Sequence, residues 1–349
     1  MKVIAKFSAI ALAAAALAPT SAANGRHPGS ALVYPVQYSG FDAATSGQFF
    51  WTIACVTNGN LVPITQVSNG GSTNVQFDYV NTVQDPLKPL KPQHCYINDR
   101  VEFLSPADTY CVLTNCHNSG DEQGYLVVHA QDPNKFKTAW SWDYLMGSEM
   151  VVTGSGGMYS INAIPFSSPL PEGAKTDLDG DHQLDFDGAE YQGIADNLYI
   201  DSFLAVSNSS LTLINMTGGV DFTATVKFDI WNDNEFPLSA TVSFKCWFNQ
   251  PLEVVSSVFS ESYLRDNTPH DPSELDINCD GVGEFETGWA KIKGLVASST
   301  AQTISDPAIL GAITSGPEFV FDGGRLLWES ENKQLNGDFL KFGVIDPEN

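Results

Sequence analysis

The stretch Asp177 to Glu190 reads DLDGDHQLDFDGAE and gathers the residue types best able to do chemistry. Carboxylates at Asp177, Asp179, Asp181, Asp185, Asp187 and Glu190, with the Gln183 amide among them, repel one another unless a counter-ion intervenes. A hard divalent cation that takes about six to eight oxygen ligands answers that need. The expected ligand is calcium. The competing reading is a solvated acidic linker, since Asp-Gly turns are common in exposed loops.

Two registers of a calcium loop fit the stretch. With Asp177 first, Asp179, Asp181, Gln183 and Asp185 follow at alternate ligand positions and apolar Leu184 falls where such loops turn inward. This resembles the EF-hand-like loops of dockerins, and departs from them at His182, which stands in place of the turn glycine, and at Gly188, which stands in place of the closing acid. With Asp179 first, Glu190 becomes the closing acid, but Gln183 and Leu184 then break the pattern. A fainter echo runs from Asp276 to Glu286, where D-x-N-x-D-G opens correctly and Thr287 replaces the closing acid; a turn next to a disulfide is the simpler expectation there.

Other chemistry is poorly supported. There is no G-x-S-x-G, and His27, His94, His117, His129, His182 and His270 follow no metal-binding spacing, so each is expected on the surface or in a turn. Trp231, Trp247 and Trp289 fall in strand-like runs and are expected in the core, as are strand tryptophans generally. No catalytic residue is assigned. The expectation is a non-catalytic structural or binding protein; the alternative is a secreted carbohydrate-binding protein or polysaccharide hydrolase that uses the aromatics and acids.

The elements around the acidic stretch read as strands. Short runs rich in Val, Ile, Phe, Tyr and Thr, separated by Gly, Asn, Asp and Pro, fill both halves, and Asn74 to Tyr79 alternates apolar and polar residues cleanly. The halves also repeat. Val75-Gln76-Phe77-Asp78-Tyr79-Val80-Asn81 and Val226-Lys227-Phe228-Asp229-Ile230-Trp231-Asn232 share V-x-F-D-x-x-N at an offset of 151 residues, which also carries Cys95 onto Cys246. The fold class that follows is all-β: two tandem antiparallel sandwiches, immunoglobulin-like or jelly-roll-like. Their expected bounds are 24–166 and 197–304, with an acidic linker at 167–196 holding the calcium loop and a C-terminal extension at 305–349 packed on the second domain. Ser305 to Ile313 is expected to be a short helix, and Phe319 to Phe342 a hairpin or edge strands.

The chain has 349 residues, 17 basic and 41 acidic, for a net charge of −24, which excludes nucleic acid and anionic membranes as partners. Lys2 and Lys6, the apolar run Phe7 to Ala18 and the small residues up to Ala23 have the form of a signal peptide spanning 1–23. No membrane insertion is expected. Six cysteines behind such a leader read as three disulfides. The repeat suggests Cys95 with Cys116 and Cys246 with Cys279, leaving Cys55 for Cys111, although four cysteines in one domain allow three connectivities. His27 to Pro35, LSPADT at Leu104 to Thr109 and DPAIL at Asp306 to Leu310 resemble a group of exported bacterial proteins to which no activity is attached. The resemblance implies bacterial export. Secreted, extracellular, cell-surface and periplasmic locations all fit, with calcium and a cell-surface polysaccharide or other surface proteins as partners.

Overall fold

The computed structural model describes residues 27–339 apart from 43–47, 84, 119–121, 136, 153–156, 208, 219–220, 269–274, 277–278, 282, 316–322, 331–332 and 335–336. The expected signal peptide, Met1 to Ala23, lies outside the described residues, and so does His270. The fold is all-β, as the strand grammar predicts, with antiparallel pairing throughout the named strands.

The first half contains β1 (Ala31–Asp42), β2 (Gln48–Asn58), β3 (Thr73–Val83), β4 (His94–Leu104), β5 (Thr109–Leu113), the one-turn helix α1 (Thr114–His117), β6 (Glu122–Gln131), β7 (Leu145–Val152), β8 (Met158–Asn162) and β9 (Ile164–Phe166). They form one nine-stranded sheet in the order β4-β3-β6-β1-β2-β7-β8, with β5 on β2 and β9 on β1. β1 and β2 pair only through Ser39–Asp42 and Gln48–Trp51; the rest of β1 pairs with β6 and β9, and the rest of β2 with β5 and β7. The sheet therefore folds over itself into two layers. Between them lie Leu32, Tyr34, Ala54, Val56, Val75, Phe77, Tyr79, Leu126 and Val128.

After β10 (Leu184–Phe186) and β11 (Ile194–Ala195), the second half runs β12 (Asn197–Leu204), β13 (Ser210–Asn215), β14 (Thr223–Asn232), β15 (Pro237–Lys245), β16 (Trp247–Pro251), α2 (Leu252–Val255), α3 (Glu261–Asn267), β17 (Thr287–Ser298), β18 (Thr303–Ser305), β19 (Ile309–Ser315), β20 (Gly323–Leu326) and β21 (Trp328–Glu329), followed by β22 (Lys333–Gln334) and β23 (Gly337–Phe339). A six-stranded sheet, β15-β14-β17-β12-β21 with β18 on β17, faces a four-stranded one, β16-β13-β19-β20. Leu198, Phe203, Leu213, Phe228, Phe244, Phe248 and Ile292 fill the space between them, and Phe259 and Leu264 of the helical segment join that core.

The two halves share one strand order. β4-β3-β6-β1-β9 corresponds to β15-β14-β17-β12-β21, and β5-β2-β7-β8 to β16-β13-β19-β20. Register breaks fall at matching places, between Tyr34 and Gln37 in β1 and between Ile200 and Phe203 in β12. Gly124 opposes Asn81 as Gly288 opposes Asn232, and at each glycine a Cβ would strike a backbone oxygen, that of Val80 or Trp231. The V-x-F-D-x-x-N motifs thus lie on equivalent strands.

A third core joins the halves. Ala31, Val33, Val80, Tyr125, Val127 and Ile164 on the outer face of the first half pack with Leu184, Phe186, Tyr191 and Ile194 of the acidic segment and with Ile214, Trp247 and Leu310 of the second half. The bulge in β1 turns the Pro35 carbonyl outward, where Trp247 Nε1 donates to it at 2.8 Å.

Two expectations are corrected. Cys55 pairs with Cys111 as expected, but Cys95 pairs with Cys246, so Cys95–Cys116 and Cys246–Cys279 do not form, and Cys116 and Cys279 are exposed thiols. The reason is geometric: the repeat-equivalent Cys95 and Cys246 both face the shared core and meet there. Ser305 to Ile313 is not a helix. Asp306 has φ 50°, incompatible with a helix start, and Ile309 to Ile313 form a strand buried on both faces between β13 and β20. Of the two alternatives expected for Phe319 to Phe342, the described part takes the edge strands: β20 to β23 pair with β19, β12, β11 and β10 respectively.

Candidate metal centre

The acidic loop is held at both ends. Before it, Thr176 N donates to Ala139 O at 3.1 Å and Trp140 bridges Lys175. Beyond it, Leu184 and Phe186 are buried and their strand pairs with β23. Between these anchors three aspartates bond the backbone ahead of them: Asp177 Oδ1 accepts from Gly180 N (2.7 Å), three residues on, and Asp179 and Asp181 make Asx turns, their Oδ1 atoms accepting from Asp181 N (3.0 Å) and Gln183 N (2.8 Å). Gly180 (φ 84°) and His182 (φ 65°) are left-handed. His182 therefore adopts the conformation that calcium loops reserve for glycine, at a cost of about 1–2 kcal/mol. Its Nδ1, 3.1 Å from Asp177 Oδ2, offsets part of that cost.

Carboxylates converge in two overlapping groups. Asp177, Asp179 and Asp181 can each bring an oxygen within 4.8 Å of the others, and so can Asp179, Asp185 and Glu190. Asp179 belongs to both groups. Glu190 closes the loop, accepting from Leu178 N and, at 3.4 Å, from Asp185 N. The two sequence registers are thus merged: the opening turn follows the first, and the closing acid comes from the second. Asp187 joins neither carboxylate group, and Gln183 Oε1 is buried with no hydrogen-bond partner among the described residues. Asp187 Oδ1 caps Ala189 N and Glu190 N at 2.7 and 3.1 Å, while the Gln183 amide donates to Asp181.

The charges are unevenly held. Burial works against ionisation of Asp177, but Lys175 (Nζ at 3.1 Å from Oδ2) and the Gly180 and His182 amides outweigh it and keep the carboxyl below its ordinary range. Glu190 has the opposite balance. Burial pushes its carboxyl up and the charges of Asp177 and Asp187 add to the shift, against partial relief from the Leu178 and Asp185 N–H groups. Calcium at this loop would reverse that shift.

Beneath the loop lies a polar cluster that sequence reasoning missed. The polar positions of β3 do not face solvent: Gln76 and Asp78 are buried, beside His129 and Gln131 of β6. Gln76 Nε2 donates to Asp78 Oδ1 (2.5 Å), Gln131 Nε2 donates to Gln76, and His129 Nδ1 lies 3.2 Å from Asp78 Oδ2. Asp177, His182 and Gln183 cover this cluster, enclosing a cavity of about 30 Å³, enough for a water or two and too small for an organic substrate. The named bonds of the cluster join side chains of the neighbouring strands β3 and β6. Period-two alternation could not reveal it, because alternation marks two faces without saying what covers them; the only hint was His129 inside the apolar run Tyr125 to Ala130.

His117 is also interior, between Tyr79 OH (2.6 Å from Nδ1) and Glu102 (3.3 Å from Nε2), and burial lowers its pKa despite Glu102. The expectation that every histidine lies on the surface or in a turn fails for His117 and His129, while His182 is exposed. Elsewhere, Asp276, Asp280 and Glu284 converge in the second acidic stretch, where Asp276 accepts from Cys279 N, Asp280 N and Gly281 N.

No known protein family, curated protein or solved structure matches this chain.

Proposed function

We propose that the chain is an exported, non-catalytic structural or binding protein, secreted or displayed at the cell surface, in which calcium at Asp177 to Glu190 stiffens the junction between the halves. Supporting this is the merged loop, in which two carboxylate groups share Asp179 around a turn forced into the left-handed region at His182. Its position gives calcium a mechanical consequence, because Leu184, Phe186 and Tyr191 of the same segment belong to the core between the halves. Two disulfides suit an oxidising compartment. Among the described residues no helix is long and apolar enough to cross a membrane, in keeping with a protein that does not insert through helices. The partner beyond calcium is a cell-surface polysaccharide or another surface protein.

Isothermal titration with calcium tests the proposal. One site is expected on the native chain, lost in Asp179→Ala, which removes the ligand common to both groups. Binding of equal strength in Asp179→Ala, or none in the native chain, contradicts it.

A further inference from the structure

The outer face of the six-stranded sheet is the counterpart of a face that the first half buries. By strand order and register, Trp231 occupies the place of Val80, Trp289 that of Tyr125, Tyr199 that of Val33, and Trp328 that of Ile164. The four first-half residues all lie in the core between the halves. Their second-half equivalents are all aromatic, yet Trp289 is 40% exposed, Trp328 57% exposed, and Tyr199 and Trp231 are half-buried. This corrects the expectation that the strand tryptophans are core: only Trp247 is. A face that merely met water would have polar residues at these places.

The aromatics spread over β14, β17, β12 and β21, three strand spacings or roughly 14 Å. Trp231 and Trp289 are cross-strand partners with stacked rings 4.1 Å apart, and Trp328 donates to the Asp201 carboxylate. These contacts set the rings before any ligand arrives. Between them stand charges of both signs: Asp229, held by Lys227 at 2.7 Å, Lys291 between Asp229 and Tyr199, and Asp201, held by Arg325 at 2.9 Å.

We propose that this face docks an uncharged polysaccharide. The apolar faces of pyranose rings stack on indole and phenol rings, and their hydroxyls take bonds from both lysines and aspartates. Charge separates this occupant from the others. A neutral polymer meets no repulsion from a chain of net charge −24, whereas a second copy does, and the face offers an anionic polymer little free charge because Lys227, Lys293 and Arg325 are already paired with Asp229, Asp306 and Asp201. Three lysines on the face, Lys227, Lys291 and Lys293, also suit a dry protein interface poorly, since lysine is depleted there. The proposal rests on the binding-module reading but not on calcium.

Affinity electrophoresis in xylan, mannan and mixed-linkage β-glucan, with pull-down on cellulose and chitin, tests it. At least one of these polymers should retain the protein, and retention should weaken tenfold or more in both Trp289→Ala and Trp328→Ala with an unchanged melting temperature and calcium response. No retention by any of them, equal retention by the variants, retention only by polygalacturonate, or self-association abolished by Trp289→Ala would each overturn it. Calcium binding without polysaccharide binding would sink this proposal alone, and the reverse result would sink only the calcium clamp.

Discussion

Glu149 shows what a single residue can hide. It is fully buried on β7; its Oε1 accepts from Val36 N at 3.1 Å and its Oε2 has no partner. Burial holds the carboxyl well above its ordinary value, so the folded chain keeps a proton that the unfolded chain releases. Stability is therefore retained below the ordinary carboxylate range and lost as pH rises through the folded value. Glu149→Gln keeps an acceptor for Val36 and cannot ionise. It should raise stability at pH 7 by about 1–3 kcal/mol and flatten the loss on the alkaline side, read from denaturant melts across pH. Glu190 is raised for a similar reason, and in the proposed reading calcium displaces its proton, so calcium affinity should climb as pH rises through the Glu190 titration. The acidic run was legible because its side chains alternate in one short segment. Glu149, Asp78 and His129 were not, because burial of a polar side chain depends on what another part of the chain lays over it.

At the scale of elements, the strands could be read from period and turn residues, and the repeat from V-x-F-D-x-x-N. Pairing could not. The run from Asp306 to Ile313 carries an Asp-Pro that suits a helix start, yet its apolar residues are continuous because β19 is covered on both faces. Analogy between the repeats misassigns the disulfides for a related reason: it pairs cysteines within each half, whereas the halves meet through the equivalent Cys95 and Cys246. A thiol titration of the unreduced native protein should therefore find two reactive groups, Cys116 and Cys279, and none or six would contradict the pairing. Trp247→Phe removes the bond to Pro35 and trims a wholly buried ring, so a loss of about 2–3 kcal/mol in denaturant melts is expected.

The whole molecule is two copies of one strand order locked by a third core, a disulfide and an acidic loop. Cys95–Cys246 closes a separation of 151 residues, and its removal in a Cys95→Ser, Cys246→Ser chain should cost roughly 4–5 kcal/mol by chain entropy. In the proposed reading the acidic loop adds to this by holding a cation among its crowded carboxylates, which stiffens the junction. The most direct measurement is calorimetric melting in calcium and in chelator, on the native chain and on Asp179→Ala. A ligand of the native state raises the melting temperature progressively with its concentration. The expected result is that rise in the native chain and a flat response in Asp179→Ala; native melts that superimpose in calcium and in chelator would contradict the account.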